Sequence, residues 1–149
     1  MSVGDLCHRS VDVTRPDESV QMAARRMLDR NVGSLVVVNS LHQPVGIITD
    51  RDLTVRVLAD GKSPLETTVA DVMSANPDQI FETTAVEEAL RVMRSGPYRR
   101  LPVIESSGRL VGIVTLDDIL DLLSDEFRSI RTLLRHESPD SVAFTCHAG

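Results

Sequence analysis

The order of apolar and polar residues in the first sixty positions predicts an alternation of short helices and strands. Apolar residues recur at spacings of three and four from Val20 to Leu28, which is typical of an amphipathic helix that residues 31–33 end. Residues 34–38 and 45–48 are rich in β-branched side chains and flank a polar turn, which predicts two neighbouring buried strands. Residues 10–14 predict a short extended segment, and residues 50–58 predict a second helix with Gly61 as its C-cap.

The same order returns 66 residues later along the chain. The run VGIITDRDL at residues 45–53 returns as VGIVTLDDI at residues 111–119. Residues 3–60 and 69–126 align without a gap, and 15 of the 58 aligned positions are identical. A self-similarity of this length indicates two copies of one supersecondary unit, and a unit of this size is marginal alone. We therefore expect two β-α-β-β-α repeats that pack pseudo-symmetrically and share a core.

The fold class that follows is α/β, in the form of an α+β sandwich rather than one long parallel sheet. Residues 1–60 form the first repeat, residues 61–68 the linker, and residues 69–126 the second repeat. Residues 127–149 form an extension of the last helix, to about residue 135, and a tail. The tail loses its apolar pattern, so we expect residues 138–149 to be mobile.

Composition and charge narrow the classes of partner. Apolar residues make up 42% of the chain and aromatic residues only 3%, so the core must be aliphatic. The net charge of -6 argues against nucleic acid as a partner, since phosphate backbones require a basic face. No segment has the length of a membrane span or the pattern of a signal peptide, and two cysteines make no disulfide framework. We expect a cytoplasmic location and no membrane partner.

The repeated motifs resemble the CBS domain, named after cystathionine β-synthase. The resemblance lies in a short strand, a helix, a hydrophobic strand and a turn, followed by Val-Gly-Ile-hydrophobic-Thr-x-x-Asp opening a helix. It covers residues 3–126, and the chain resembles a stand-alone tandem pair, or Bateman module. Such a resemblance implies a ligand between the repeats and a flat homodimer formed through the second helix of each repeat. The wide apolar face of residues 119–123, with Leu53, Val57 and Leu58 as counterparts, agrees with that assembly.

A threonine and an aspartate stand at each strand-to-helix junction, Thr49 with Asp52 and Thr115 with Asp118. The first N–H groups of a helix attract anions, and a carboxylate suits a ribose diol. In the family the matching aspartate binds ribose hydroxyls and the matching threonine contacts phosphate. The structural alternative is a capping box that only starts the helix, and both roles can coexist.

Two arginines follow Tyr98 and precede the second repeat's first buried strand. Guanidinium groups suit phosphate oxygens, and the resemblance assigns Arg99 and Arg100 to the phosphates of a ligand at the other repeat's junction. The alternative is a solvated basic pair. The first repeat has Gly33 and Ser34 at these positions, which offer backbone and hydroxyl contacts only. The two clefts should therefore differ, and a highly charged ligand should favour one of them.

The extended segment before each first helix would line a base pocket if the resemblance holds. Thr14 belongs to this segment in the first repeat and Ile80 in the second, while Val32 would stack on the base. The alternative for these residues is plain core. These residues do not distinguish adenine from guanine.

Other reactive residues form no convincing site. Cys7-His8 and Cys146-His147 lack the usual spacing of a zinc site, and a Cys7–Cys146 disulfide is equally weak. No nucleophile triad, acid–base pair or glycine-rich phosphate loop can be argued, so we expect no enzyme, no required cofactor and no metal.

Two functions follow from these observations. The first is a regulatory sensor that binds AMP, ADP, ATP or S-adenosylmethionine between the repeats and alters an unknown protein partner. The alternative is a structural or interaction module whose clefts stay empty and whose dimer surface is the function.

Overall fold

The computed structural model describes residues 1–96 and 98–136, and it divides into two compact units, Met1–Leu116 and Asp117–Gly149. The first repeat contains helices α1 (Val3–Leu6), α2 (Val20–Arg30) and α3 (Asp50–Asp52) and strands β1 (Val13–Thr14), β2 (Ser34–Val38) and β3 (Pro44–Thr49). A π-helical segment, Leu53–Leu58, continues α3 directly. The predicted mobile tail, residues 138–149, lies outside the described residues.

The second repeat contains equivalent helices and strands in the same order, with one additional strand, β4, and without a π-helical segment. Helix α4 (Val69–Val72) and strand β4 (Ser74–Ala75) lead into β5 (Ile80–Phe81) and helix α5 (Val86–Ser95). Strands β6 (Arg100–Ile104) and β7 (Leu110–Thr115) follow, and helix α6 (Leu116–His136) is the last described element. The predicted mixed α/β fold is therefore confirmed, as is the predicted order of elements in both repeats.

Each repeat contributes a chain segment to the edge of the other repeat's sheet. In the four-stranded sheet, with order β1-β2-β3-β4, the second-repeat strand β4 pairs antiparallel with the first-repeat strand β3. In the three-stranded sheet, with order β5-β6-β7, His8 of the first repeat forms an antiparallel bridge to Ile113 of β7. This exchange joins the repeats through backbone hydrogen bonds, and the sequence pattern did not predict it.

Glycines within β3 and β7 allow these segments to approach the strands closely. A Cβ atom on Gly112 would lie 2.7 Å from Sγ of Cys7 and 2.9 Å from the carbonyl oxygen of His8. Gly46 occupies the equivalent position in β3, where a Cβ atom would overlap the side chain of Met73. Glycine in the interior of a strand is a known sign of close backbone approach.

Buried aliphatic residues form the core within and between the repeats. Met27 of α2, Leu35 of β2 and Ile48 of β3 belong to one cluster, as the helical and strand periodicities predicted. A second cluster joins Val36 and Val38 of the first repeat to Leu110 of the second. The two repeats therefore share apolar packing, which agrees with the expectation that neither is large enough alone.

Two features of the helices differ from the predicted pattern. Helix α1 was missed in the first repeat, although Ser2 and Asp5 form there the same capping box that Thr68 and Asp71 form at α4. The predicted helix at residues 50–58 changes to π geometry, since Ala59 N–H donates to the carbonyl of Thr54 at 2.9 Å. Thr54 Oγ1 also donates to the carbonyl of Asp50, a side-chain bond that competes with regular helix bonding.

The end of the π-helical segment carries the predicted glycine signal. Gly61 has a φ of 68°, and its N–H donates to the carbonyl of Leu58. Lys62 N–H donates to the carbonyl of Val57, which completes a Schellman arrangement. Among the described residues, no helix combines the length and the apolar character that a membrane crossing needs.

Candidate functional site

Two clefts lie between the repeats, and both belong to the unit Met1–Leu116. The first, called here the Thr115 cleft, has a volume of about 380 Å³. Val32, Gly33 and Ser34 line it from the first repeat, and Arg100 and Thr115 line it from the second. This cleft therefore combines five residues that the sequence proposed for ligand binding.

The second cleft, called here the Thr49 cleft, has a volume of about 450 Å³. Thr49 and the pair Gly33 and Ser34 line it from the first repeat, and Tyr98, Arg99 and Arg100 line it from the second. The loop with the two arginines thus lies beside the other repeat's strand-to-helix junction. Both volumes lie within the range of small-molecule sites.

Arg100 lies between the two clefts and lines both of them. Its Nη1 donates a hydrogen bond of 2.6 Å to Oγ of Ser34 across the repeats. Arg99, by contrast, lines the Thr49 cleft and not the Thr115 cleft. Arg51 of the first repeat also lines the Thr49 cleft, which therefore has three arginines, whereas the Thr115 cleft has one that it shares.

The first junction is organised by a capping box. Thr49 Oγ1 accepts a hydrogen bond of 3.2 Å from the N–H of Asp52, and Oδ2 of Asp52 accepts one of 2.9 Å from the N–H of Thr49. Arg56 Nε also lies 3.8 Å from Oδ1 of Asp52. Thr49 and Asp52 thus form the capping box that the structural alternative predicted. The hydroxyl of Thr49 and the carboxylate of Asp52 each have further lone pairs with which they can accept a hydrogen bond from a ligand.

The backbone ties each junction to the loop that precedes the neighbouring strand. Asp50 N–H donates to the carbonyl of Gly33 at 2.9 Å, and Leu116 N–H donates to the carbonyl of Arg99 at 2.8 Å. Thr115 ends β7, and Asp118 lies in the first turn of α6. The two junctions therefore have the same backbone hydrogen bond. They differ in charge, because Asp50 and Arg51 of the first junction correspond to Leu116 and Asp117 of the second.

Some predicted ligand residues do not line either cleft. Asp52 is next to the Thr49 cleft in sequence but is not among its lining residues. Thr14 is only 1% exposed and lines a different cavity, together with Arg15, Glu18 and Asn39. Ile80 is buried, as the core interpretation predicts for an apolar side chain.

Several residues of the Thr115 cleft were missed by sequence reasoning. His8, Ser10, Val11 and Asp12 line it from the segment that crosses to the second repeat. Asp12 accepts a hydrogen bond of 2.7 Å from Nε of Arg30, which neutralises one acidic group near the cleft. The sequence pattern did not show that residues 8–12 lie beside the sheet of the second repeat. The isolated Gly112 in β7 was the signal that could have indicated this close approach.

The cavity that contains Thr14 has its own ion pair. Arg26 donates from Nη2 to Oε2 of Glu18 at 2.8 Å and from Nη1 to the carbonyl of Val13 at 3.0 Å. Burial raises the pKa of Glu18, but hydrogen bonds from Arg26 and from the N–H of Arg15 outweigh it and hold the pKa below its ordinary value. This pair fixes α2 against β1.

The metal and disulfide interpretations involve Cys146 and His147, which lie outside the described residues. Within residues 1–96 and 98–136, no three histidine, cysteine or acidic side chains form a group that could hold a metal ion.

Comparison with known proteins identifies the family. The sequence profile of the CBS domain matches twice, at residues 3–59 and 69–125. The chain therefore belongs to the CBS domain family and is a tandem CBS pair. It is 39% identical over 122 residues to the uncharacterized protein MK0525 of Methanopyrus kandleri. That alignment covers 82% of this chain and 62% of the relative, so the chain spans less than two thirds of that protein.

Solved CBS pairs share the fold. CBSX2 from Arabidopsis thaliana has a TM-score of 0.74 and 26% identity, and the match covers 85% of this chain and 96% of the other. The CBS pair of protein MJ0100, solved with 5-methylthioadenosine and S-adenosyl-L-methionine, has a TM-score of 0.72 and 28% identity, and the match covers 83% and 99% of the two chains. CBS pairs of this fold thus include proteins that bind adenosine-containing molecules.

Proposed function

We propose that this CBS pair is a regulatory sensor that binds an adenosine-containing ligand in the clefts between its repeats. The observation that carries the proposal is the composition of the Thr115 cleft, which neither repeat could form alone. Val11 and Val32 offer apolar surface for a flat base, and Thr115 and Ser34 offer hydroxyl groups. AMP, ADP, ATP and S-adenosylmethionine are the ligands we consider.

The Thr49 cleft is the proposed site for a phosphorylated ligand. Arg99 and Arg100 line the cleft from the second repeat, and Thr49 and Arg51 line it from the first. Guanidinium groups bind phosphate oxygens in a bidentate manner, and the contacts are stronger than neutral hydrogen bonds. We expect Asp52 to accept hydrogen bonds from ribose hydroxyls, and Asp118 to do the same for the ligand of the second junction.

The shared arginine makes the two clefts unequal. A phosphate that recruits Arg99 and Arg100 in the Thr49 cleft leaves the Thr115 cleft without a cation from the loop that contains them. The Thr115 cleft then suits a neutral or cationic adenosyl ligand better than a polyphosphate. We therefore expect AMP to bind at one strong site per chain. The affinities of adenosine for the two clefts should differ less than those of AMP.

Binding would act on other proteins by changing the relation of the two repeats. A ligand that contacts both repeats stabilises one arrangement by its differential affinity for that arrangement. The partner protein that responds is unidentified, and the proposed role is regulatory rather than catalytic. A cytoplasmic location remains a prediction.

We expect the sensor to be a homodimer that uses the second helix of each repeat. Leu58 and Leu120 are exposed on these helices and support this assembly, whereas Val57 is buried in the first repeat's own core. Exposed apolar side chains in a row favour a protein contact over open solvent.

A ligand-free interaction module is the second candidate. One observation favours it: Thr49 and Asp52 already bond to each other, and Arg100 already bonds to Ser34. In this case the clefts are structural joints between the repeats, and adenine nucleotides have no specific effect.

Thermal unfolding of the full chain with a panel of adenosine, AMP, ADP, ATP, S-adenosylmethionine and GMP separates the two functions. A specific adenosyl ligand should raise Tm in a concentration-dependent manner, because it binds the folded state only. Isothermal titration then gives the number of sites. No shift with any adenosyl ligand at millimolar concentration would reject the sensor in favour of the interaction module.

A further inference from the structure

Arg56 links the first strand-to-helix junction to the second repeat. Its Nη1 donates a hydrogen bond of 2.9 Å to the carbonyl oxygen of Val72 and one of 3.4 Å to that of Met73. Its Nε lies 3.8 Å from Oδ1 of Asp52 in the first repeat. One guanidinium group therefore contacts both a carboxylate that we propose for ribose binding and the backbone at the end of α4.

The second repeat fixes the position of this guanidinium group. Val72 and Met73 stand at the C-terminal end of α4, where carbonyl groups have no partner within the helix and arginine side chains can donate to them. Strand β4 begins directly after Met73 and pairs with Gly46 and Ile47 of β3. Arg56 is thus held by the segment that the second repeat contributes to the first repeat's sheet.

The carboxylate of Asp52 has a partner at each oxygen. Oδ2 accepts a hydrogen bond of 2.9 Å from the N–H of Thr49, and Oδ1 faces Nε of Arg56. The side chain of Asp52 is only 15% exposed, so water screens its contact with Arg56 less than that of a surface pair. A carboxylate held at both oxygens has little conformational freedom to lose when a ligand binds.

The second junction lacks an arginine at this position. Leu122 is the residue of the second repeat that is equivalent to Arg56, and Asp118 is equivalent to Asp52. A leucine side chain has no hydrogen-bond donor, so it cannot orient a carboxylate. The contact is therefore not required by the CBS fold, and it distinguishes the first junction from the second.

We propose that Arg56 is a positioning residue of the Thr49 cleft, which orients the carboxylate of Asp52 for contact with the ribose hydroxyls of a bound nucleotide. This inference rests on the proposed function, because it requires a nucleotide in that cleft. Arg56 lines neither cleft, so it acts through Asp52. Asp52 follows the lining residue Arg51 without lining the cleft itself, so its contact with a ribose depends on the orientation of its carboxylate.

A purely structural role is the alternative, in which Arg56 only caps α4. The two roles differ in their dependence on the ligand. Loss of a cap lowers the stability of the folded protein and weakens all ligands of the cleft alike. A misplaced carboxylate of Asp52 instead weakens most those ligands that offer both ribose hydroxyls. The ratio of the AMP and 2′-deoxy-AMP affinities therefore separates the two roles.

The experiment measures the affinities of AMP and 2′-deoxy-AMP for the full chain by isothermal titration. The parent should prefer AMP roughly tenfold, which corresponds to one hydrogen bond to a charged group. Arg56→Leu introduces the residue type of the second repeat and should reduce this preference to about threefold or less. Arg56→Lys keeps a cation and should restore part of the preference. Circular dichroism checks that each variant is folded.

Arg25→Leu is the matched control for Arg56→Leu. Nε of Arg25 lies 3.8 Å from Oδ1 of Asp29, the same separation as in the pair of Arg56 and Asp52, and both control residues lie on α2. Neither of them lines the Thr49 cleft or the Thr115 cleft. This variant should therefore keep the nucleotide preference of the parent.

A double variant tests whether Arg56 acts through Asp52. Asp52→Asn/Arg56→Leu should bind AMP as weakly as Asp52→Asn alone, because the orientation of the carboxylate no longer matters once its charge is lost. If the two losses of affinity multiply instead, Arg56 affects the ligand independently of Asp52, and the proposal is wrong.

Two further results would overturn the proposal. An unchanged preference in a folded Arg56→Leu chain would leave Arg56 with the capping role alone, and a stronger preference would mean that Arg56 competes with the ribose for Asp52. If Arg56→Leu does not fold, Arg56→Gln replaces it, since its amide still donates to a carbonyl but has no charge. Absence of AMP binding to the parent has a different meaning, because it rejects the proposed nucleotide site of the Thr49 cleft and the positioning role with it.

Discussion

Arg100 Nη1 donates a hydrogen bond of 2.6 Å to Oγ of Ser34, and the two residues occupy equivalent positions of the two repeats, 66 residues apart. The contact thus crosses the pseudo-symmetric interface between the repeats. Because serine stands on one side and arginine on the other, one cation is available where symmetry would place two. This difference, together with Arg99 at the position equivalent to Gly33, makes the two clefts unequal.

Loss of Arg100 should weaken the binding of phosphorylated ligands at both clefts, whereas loss of Arg99 should weaken it at the Thr49 cleft only. Arg100→Gln removes the cation that both clefts share, whereas Arg99→Gln affects the Thr49 cleft. A charge-assisted hydrogen bond contributes about 1.5–3 kcal/mol, so each variant should weaken AMP binding by roughly tenfold or more. Isothermal titration with AMP measures this effect.

Adenosine is the control ligand for the two arginine variants, since it has no phosphate and its affinity should change little. Ser34→Ala removes one cleft hydroxyl and the contact to Arg100 but keeps the cation, so it should weaken AMP binding less than Arg100→Gln does. Equal loss of adenosine and AMP affinity in both arginine variants would assign these residues a structural role.

Replacement of Asp52 by asparagine separates helix capping from ligand binding. The amide oxygen that Asp52→Asn introduces would still accept from the N–H of Thr49, so the variant should lose at most about 1 kcal/mol of stability. The loss of carboxylate charge should weaken contacts to a ribose diol and lower nucleotide affinity roughly tenfold. Chemical denaturation and isothermal titration measure the two effects separately.

Asp71 offers a matched control for Asp52. It caps α4 through the N–H of Thr68 at 3.0 Å and lies on neither cleft. Asp71→Asn should therefore change stability to a similar extent and leave nucleotide binding intact. Unchanged binding in Asp52→Asn would leave Asp52 with the capping role alone.

A methyl group at Gly112 should destabilise the crossing of the N-terminal segment. Its Cβ atom would lie 2.9 Å from the carbonyl oxygen of His8, so the backbone must shift. We expect Gly112→Ala to lower the free energy of unfolding by about 1–3 kcal/mol, as other overpacked sites do. Urea denaturation measures the loss.

The double variant Cys7→Ala/Gly112→Ala tests which neighbour resists the added methyl group. It removes the contact to Sγ of Cys7 but keeps the contact to the carbonyl of His8. Stability should recover only in part. Full recovery would mean that the sulfur atom alone requires glycine at this position.

The ion pair between Glu18 and Arg26 should make stability depend on acidic pH. Burial raises the pKa of Glu18, but the bonds from Arg26 and Arg15 outweigh burial, so the pKa lies below its ordinary value of 4.5 in the folded protein. Its stabilisation is therefore complete above pH 4.5 and is lost as the pH falls through the lowered pKa. Glu18→Gln should lower the free energy of unfolding by about 1–3 kcal/mol at pH 7. The difference from the parent should become smaller as the pH falls below 4.5.

Denaturation of the parent and Glu18→Gln from pH 7 to pH 3 measures this difference. Asp29→Asn is the control, since Asp29 pairs with Arg25 at 3.8 Å and both side chains are largely exposed. Exposed pairs contribute little, so its effect should be small at every pH. A pH-independent difference for Glu18→Gln would contradict the assignment.

Local sequence patterns were sufficient for most of the secondary structure. The apolar periodicity of α2 and α5 and the β-branched runs of β2 and β6 follow from burial of one face, which adjacent residues encode directly. The predictions missed α1, although the capping box of Ser2 and Asp5 marks its start as that of Thr68 and Asp71 marks α4. They also missed β4, because two residues gain their strand conformation only from a distant partner.

The sequence predicted which residue types belong to the candidate site. It did not predict which cleft each of these residues lines. The sequence determined the duplication, the aliphatic core, the Thr-x-x-Asp junctions and the unequal charges of Gly33-Ser34 and Arg99-Arg100. Only the tertiary structure decided that Arg100 reaches both clefts, that residues 8–12 line one of them, and that Thr14 lies in another cavity. The physical reason is that periodicity reports which face of an element is buried, whereas crossings between repeats depend on contacts distant in sequence.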